Sequence, residues 1–217
     1  MNITFISDTH NLHEKLNPHL VGGDILIHCG DVTTHGTREE AFTFLRWFDK
    51  LPYKRKMFLP GNHDNCFDPK KSESHITLAD IKYFFPNTEY FYGILLFAGN
   101  VSFYGHPYTP IFQNMAFNAN EKELSYHDSL IPLNTDILVT HGPPREVLDF
   151  TSNGEHVGSQ SLLEKVQRVK PKVHAFGHIH ERYGIRNSNW GTKFINASNH
   201  TWLWKGSPLQ PPVTIEI

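Results

Sequence analysis

Cysteine is scarce in this chain: Cys29 and Cys66 are the only two among 217 residues, too few for a disulfide framework and not spaced as a Cys-x-x-Cys pair. A reducing, cytoplasmic setting is therefore expected. A surplus of one charge is missing too. Against 20 Lys and Arg stand 22 Asp and Glu, a net charge of -2, so nothing suggests a surface that tracks the phosphates of duplex nucleic acid. No apolar run approaches the roughly 20 residues of a spanning helix, and "MNITFISDTH" turns polar at Ser7, so neither a membrane span nor a secretory hydrophobic segment is expected. Repeats, low-complexity tracts and linkers are likewise absent, and one core can grow to roughly 250 residues, so a single domain over 1–217 is expected.

What the chain does have is histidine, 15 of them. His ligates borderline metals and titrates nearest to neutrality, so the placement of these side chains matters most. Short apolar runs read as strands: "ITFI" (3–6), "ILIH" (25–28), "KMFL" (56–59), "DILVT" (136–140), "VHAF" (173–176), "TKFINAS" and the final "VTIEI". The stretch 94–105, "ILLFAGNVSFYG", reads as an antiparallel hairpin about an "AGN" turn. Between Thr37 and Lys50, Ala41, Phe44, Leu45 and Phe48 recur at helical spacing behind a capping box of Thr37 and Glu40. A second helix is expected near 159–169, and 106–120 reads as a long ordered loop. Strands alternating with helices give the α/β class.

Five of the apolar runs end in polar residues: "SDTH", "CGD", "GNHD", "THGPP" and "FGHIH". In α/β sheets ligands bind beyond the carboxyl ends of strands, so these termini are expected to converge. They bring Asp8, His10, Asp31, Asn62, His63, Asp64, His141, His178 and His180. A lone strand-end His is more often packed or solvated than a ligand. Asp-x-His and His-x-His are stronger signals, because alternate positions of an extended segment face one way. An oxygen and nitrogen donor set without thiolate suits Mn, Fe, Zn, Co or Ni, and its size implies two divalent ions.

The series "DTH … GD … GNHD … HG … GHIH" resembles the calcineurin-like metallophosphoesterases, and "GDILIHCGD", "LPYK", "PYTPIF", "ILVTHGPP" and "FINAS" resemble their metallophosphoesterase-domain-containing subfamily, linked to cyclic-nucleotide and other phosphodiester hydrolysis. The resemblance implies a four-layer αββα sandwich. It implies one metal on Asp8, His10, Asp31 and His180, a second on Asp31, Asn62, His141 and His178, with Asp31 bridging and Mn or Fe favoured. His63 is implied to stand by the phosphate and protonate the leaving oxygen, with Asp64 orienting its ring, while Gly61 lets the backbone turn tightly. The implied reaction is attack of a metal-bound hydroxide on a small phosphodiester.

Some mammalian members resemble this pattern but carry glycine where this chain has His178, so a fuller binuclear site is expected here. Where Ser/Thr protein phosphatases place Asp-Arg-Gly, this chain reads "GDVTTHG", which disfavours protein phosphatase activity. His106, Tyr108, Phe112 and Asn118 are candidate substrate contacts, since aromatics of this loop could stack on a base or aryl group or could simply fill a core. His35 and His200 are left as surface or packing residues. The rival functions are a phosphomonoesterase or nucleotidase and a catalytically weak metal-binding scaffold. A small-molecule phosphoester is the expected partner, and the oligomeric state is open, a homodimer included.

Overall fold

The structure is a computed structural model and describes residues 1–201 and 208–217. Two sheets lie face to face. One contains β1 (Asn2–Ile6), β2 (Gly23–His28), β3 (Tyr53–Phe58), β4 (Glu89–Tyr90) and the last strand, β13 (Val213–Glu216), in the order β13-β1-β2-β3-β4. All its pairings are parallel except that of β13 with β1. The other is ordered β11-β12-β10-β9-β6-β5, from β5 (Leu96–Ala98), β6 (Val101–His106), β9 (Ile137–Thr140), β10 (Val173–Phe176), β11 (Gly184–Asn187) and β12 (Lys193–Asn196). Its four central strands run parallel, and β5 and β11 are antiparallel edges.

Period-two alternation sorts the strand residues into layers. Ile3, Phe5, Ile25, Ile27 and Met57 of one sheet meet Phe103, Ile137, Val139, Val173 and Ile195 of the other in a core between the sheets. Ile6, Leu26 and Phe58 point the opposite way, to a second core with Ala41, Phe44, Leu45 and Phe48 of α1 (Arg38–Phe48) and Ile81 of α2 (Leu78–Phe84). On the far side Tyr104, Leu138, Phe176 and Phe194 pack against Leu162 and Val166 of α4 (Gln160–Val169), which α3 (Glu121–Ser129) adjoins. Burying each large apolar side chain stabilises the fold by roughly 1.5–3 kcal/mol. Three cores separate four layers, the αββα sandwich that the resemblance implies.

The α1 capping box forms as read: the Thr37 side chain accepts from Glu40 N, and Glu40 accepts from Thr37 N. Two helices go beyond the sequence reading. Each begins at a capping box, Thr77 with Asp80 for α2 and Asn120 with Glu123 for α3. The 106–120 stretch is also more ordered than a loop, since β7 (Thr109–Pro110) pairs in parallel with β8 (Asn118–Ala119) and closes the segment between them. No helix among the described residues is long and apolar enough to cross a membrane.

Candidate metal centre

The carboxyl ends of β1, β2, β3, β9 and β10 meet where the two sheets face each other. The turns there are tight enough to bend non-glycine residues into the left-handed region: Asp8 (φ 52°), His10 (39°), Asp31 (57°) and His178 (69°). Such backbone costs of order 1–3 kcal/mol per residue and persists only where its surroundings over-determine it. Asp8 shows how. Its carboxylate accepts His178 N at 3.1 and 3.0 Å and the Ser198 hydroxyl at 2.7 Å. A Cβ on Gly177 would lie 2.0 Å from Asp8 Oδ2, so only glycine lets the β10 turn close on this acid. Gly61 answers to the same constraint. Asp64 N donates to Gly61 O at 3.1 Å and closes a tight turn, but the Gly61 φ is not positive, so glycine is required for space: a Cβ there would come within 2.3 Å of Asp31 Oδ1 and 2.6 Å of His141 Cε1.

Three groups of donors lie close enough to hold an ion, with ligand atoms within 4.8 Å of one another: Asp8, His10 and His180; His10, Asp31 and His63; Asp31, His141 and His178. Asp8 Oδ1 is 3.2 Å from His180 Nε2. Asp31 Oδ2 lies 3.7 Å from His10 Nε2 and 3.3 Å from His141 Nε2. Asn62 Oδ1 is 2.8 Å from the same His141 nitrogen. All seven residues named as ligands from the sequence are thus in one place, and all but His178 are buried.

Electrostatics fit a cation. Burial alone would raise Asp8, but His180 and the other imidazoles hold it well below the ordinary carboxylate range. Burial is likewise outweighed at Asp31, chiefly by His141, so this carboxyl too is lowered. Burial lowers His10 and His178 to about 4, which keeps both neutral, the form that ligates. His141 goes the other way: burial opposes its charge, yet Asp31 pushes it up to about 9. The tautomers also suit. His10 Nδ1 donates to Thr33 O at 2.9 Å and His141 Nδ1 to Cys29 O at 3.0 Å, which turns each Nε2 toward the carboxylates. Two buried acids faced by imidazoles oriented through their outer nitrogens are a donor set for borderline divalent ions.

His63 stands edge-on to His10, ring centroids 4.7 Å apart, with its Nδ1 3.0 Å from Thr34 O. That carbonyl, and not Asp64, orients the ring. Asp64 is spent on the main chain: it accepts Val32 N (3.2 Å), Thr33 N (2.9 Å) and Gly61 N (2.8 Å), plus the Thr33 hydroxyl (2.6 Å), and so ties the β2 and β3 turns together. Burial, then the Asp31 charge, pushes its carboxyl up to about 6.

The candidate substrate residues separate. His106 is buried, with Nε2 3.0 Å from Asp128 Oδ1, and serves packing. Tyr108 stacks on His127 (3.5 Å, 12°) and shares a 2.5 Å hydrogen bond with Tyr92, which commits it to the protein. Asn118 Nδ2 donates to Phe112 O (2.9 Å) and Gln113 O (3.1 Å), bracing the loop tip. Phe112 alone is exposed, beside a cavity that His178 also lines. Three participants escape a reading limited to five strand ends. Ser198 and His200 follow β12, a sixth strand end, with the His200 ring 5.9 Å from His10 and 5.8 Å from His180. Met115 receives the Asn62 amide, a contact with no local signal.

A family model described as Calcineurin-like phosphoesterase matches residues 1–182. Metallophosphoesterase domain-containing protein 1 of Homo sapiens is 34% identical over 98% of this chain and 69% of its own length. A UPF0046 protein of Caenorhabditis elegans, K07C11.7, is 34% identical over 97% of this chain and 72% of its own. Among solved structures, TT1561 of Thermus thermophilus has a TM-score of 0.66 at 12% identity, covering 91% of this chain and 88% of that one, a likeness of fold. Motifs, layers and clustered donors agree with these matches: the chain belongs to the calcineurin-like phosphoesterase family, and metal-dependent phosphoester hydrolysis is the activity that membership supports.

Proposed function

We propose that the chain is a phosphodiesterase for a small phosphodiester, working with two divalent ions, Mn or Fe. Asp8, His10, Asp31 and His180 would hold one, and Asp31, Asn62, His141 and His178 the other. The observation that carries this reading is the position of Asp31, one of whose oxygens lies within 3.7 Å of a His10 nitrogen and 3.3 Å of a His141 nitrogen, between the two donor sets. Bound divalent ions would polarise a phosphoryl oxygen and bring water toward ionisation near neutral pH.

The rest falls to side chains. A carbonyl only accepts, so Thr34 O holds the Nδ1–H of His63 in both charge states of the ring. The proton that exchanges is therefore the one on Nε2, which His63 would deliver to the departing oxygen. Asp64 keeps the two turns at fixed separation and so keeps His63 in place. A diester is favoured over a monoester on charge. The turn after Asp31 carries no arginine: His35 stands where the Asp-Arg-Gly motif has its arginine, and the Thr33 hydroxyl is engaged by Asp64, so no guanidinium there meets a second phosphate charge.

The test is turnover of bis-p-nitrophenyl phosphate and p-nitrophenyl phosphate with Mn²⁺. The diester should be the better substrate, and His63→Ala should cut its turnover by about 10²- to 10⁴-fold with metal content intact. Failure to hydrolyse either ester under any divalent metal would favour a scaffold. Faster hydrolysis of the monoester would favour a nucleotidase or related monoesterase.

A further inference from the structure

A cavity of about 710 Å³ opens beside the metal centre, with His178 and Ile179 of the β10 turn at one wall. That is far more room than a phosphate needs, and it is of the size that encloses a whole small organic molecule. The end of β7 and the loop after it contribute Pro110, Ile111 and Phe112, α3 contributes Leu124, and the start of α4 contributes Ser159 and Ser161. Ile111 and Phe112 are 65% and 56% exposed, large apolar groups left in water at the rim. Phe112 is nevertheless held in place, because the Asn118 amide donates to the carbonyls of Phe112 and Gln113 and β7 is pinned to β8. An exposed but anchored aromatic next to a reaction centre is a surface on which a flat group can stack.

Charge narrows the occupant. The lining has one guanidinium, Arg145, against three carboxylates, Glu121, Glu164 and Glu181. Arg145 already donates to His156 O at 3.3 Å. A second phosphate entering this cavity would meet repulsion with little compensation.

We propose that this cavity receives the organic arm that stays on the phosphate when the leaving group departs, and selects a phosphodiester in which that retained arm is bulky and flat and carries no second anionic group. The inference rests on the phosphodiesterase reading and adds to it a substrate class and a selecting residue, Phe112. Nucleoside polyphosphates and polynucleotides fall outside that class; singly charged diesters with an aryl or heterocyclic arm fall within it.

Three esters with one leaving group, p-nitrophenolate, test it in the Mn²⁺-loaded protein. They are methyl p-nitrophenyl phosphate, thymidine 5′-(p-nitrophenyl phosphate), and the latter phosphorylated at its 3′ oxygen. Expected kcat/KM is about tenfold or more higher for the thymidine ester than for the methyl ester, the scale of one stacked ring, with the 3′-phosphorylated ester well below its parent. Phe112→Ala should shrink the thymidine-to-methyl ratio, and Glu121→Gln with Glu164→Gln should narrow the penalty of the 3′ phosphate. Equal values for the methyl and thymidine esters, or a ratio untouched by Phe112→Ala, would overturn the arm site. Full tolerance of the 3′ phosphate would overturn the charge selection. Hydrolysis of none of the three with any divalent ion would instead remove the phosphodiesterase reading, and this inference with it.

Discussion

The Met115 thioether accepts the side-chain amide of Asn62 at 3.0 Å. With its nitrogen so engaged, Asn62 turns its oxygen to His141 Nε2, 2.8 Å away. The loop also holds the backbone of Asn62, since Ala116 N donates to Asn62 O at 3.0 Å. Met115 therefore positions a proposed metal donor from outside the donor set. Met115→Ala and Met115→Leu should weaken Mn²⁺ binding by about 10-fold or somewhat more, the usual effect of losing an outer partner of a ligand. Titration calorimetry on metal-free protein reads this directly; unchanged affinity in both variants would show that Asn62 orients itself.

His178 combines a proposed donor role with a backbone at φ 69° that glycine adopts more readily. His178→Gly should cost about one equivalent of bound metal per chain while metal-free stability holds or rises by up to about 1 kcal/mol. Elemental analysis paired with thermal unfolding separates the two effects. Retention of full metal content would argue against His178 as a ligand.

Acid should destabilise the protein through His174. Its ring is buried on the outer face of β10, and the Thr140 hydroxyl, 2.9 Å from Nε2, donates its own hydrogen to Gly142 O, so Nε2 carries the proton and Nδ1 has no partner among the described residues. Burial lowers this histidine to about 3 from 6.5. Between those values the unfolded chain binds a proton that the folded chain refuses, so the stabilisation is complete above pH 6.5 and declines as pH falls toward 3. From pH 7 to pH 5 the loss from this group is about 2 kcal/mol. Urea unfolding at the two values measures it, and His174→Leu should show a smaller drop than the wild type.

His106 and Asp128 form a buried pair, closed from the other side by the Ser161 hydroxyl at 2.5 Å from Asp128 Oδ2. His106→Ala leaves that carboxylate short of a partner and should cost about 1–3 kcal/mol of stability. Intact stability with a raised KM would return His106 to the substrate.

Much of this was readable from the chain because the physics there is local. Ile3 and Phe5 alternate with Thr4 and Ile6, and strands that alternate this way must end where their polar residues begin. The turns that carry the candidate ligands follow from those endings. What escaped was either weakly patterned or remote. Helix α3 buries only Leu124 among its apolar residues, so its capping box was the sole available signal. The division of the aromatic loop was not readable, because it depends on His127 and Tyr92, distant residues that claim Tyr108 and leave Phe112 outside. Asp64 departs from the ring-orienting role that the resemblance implied, because the turn faces its carboxylate back toward Val32 and Thr33.

Asp8 follows a strand of one sheet, and the His178 amide and Ser198 hydroxyl that clamp it follow strands of the other. The acid is thus a rivet between the halves of the sandwich as well as a prospective ligand. Replacing it would loosen architecture and chemistry together, so an Asp8 variant makes a poor inactive control. His63, whose ring is held by one carbonyl and the edge of His10, is the position at which the proposed activity should be silenced while the body of the protein stays whole.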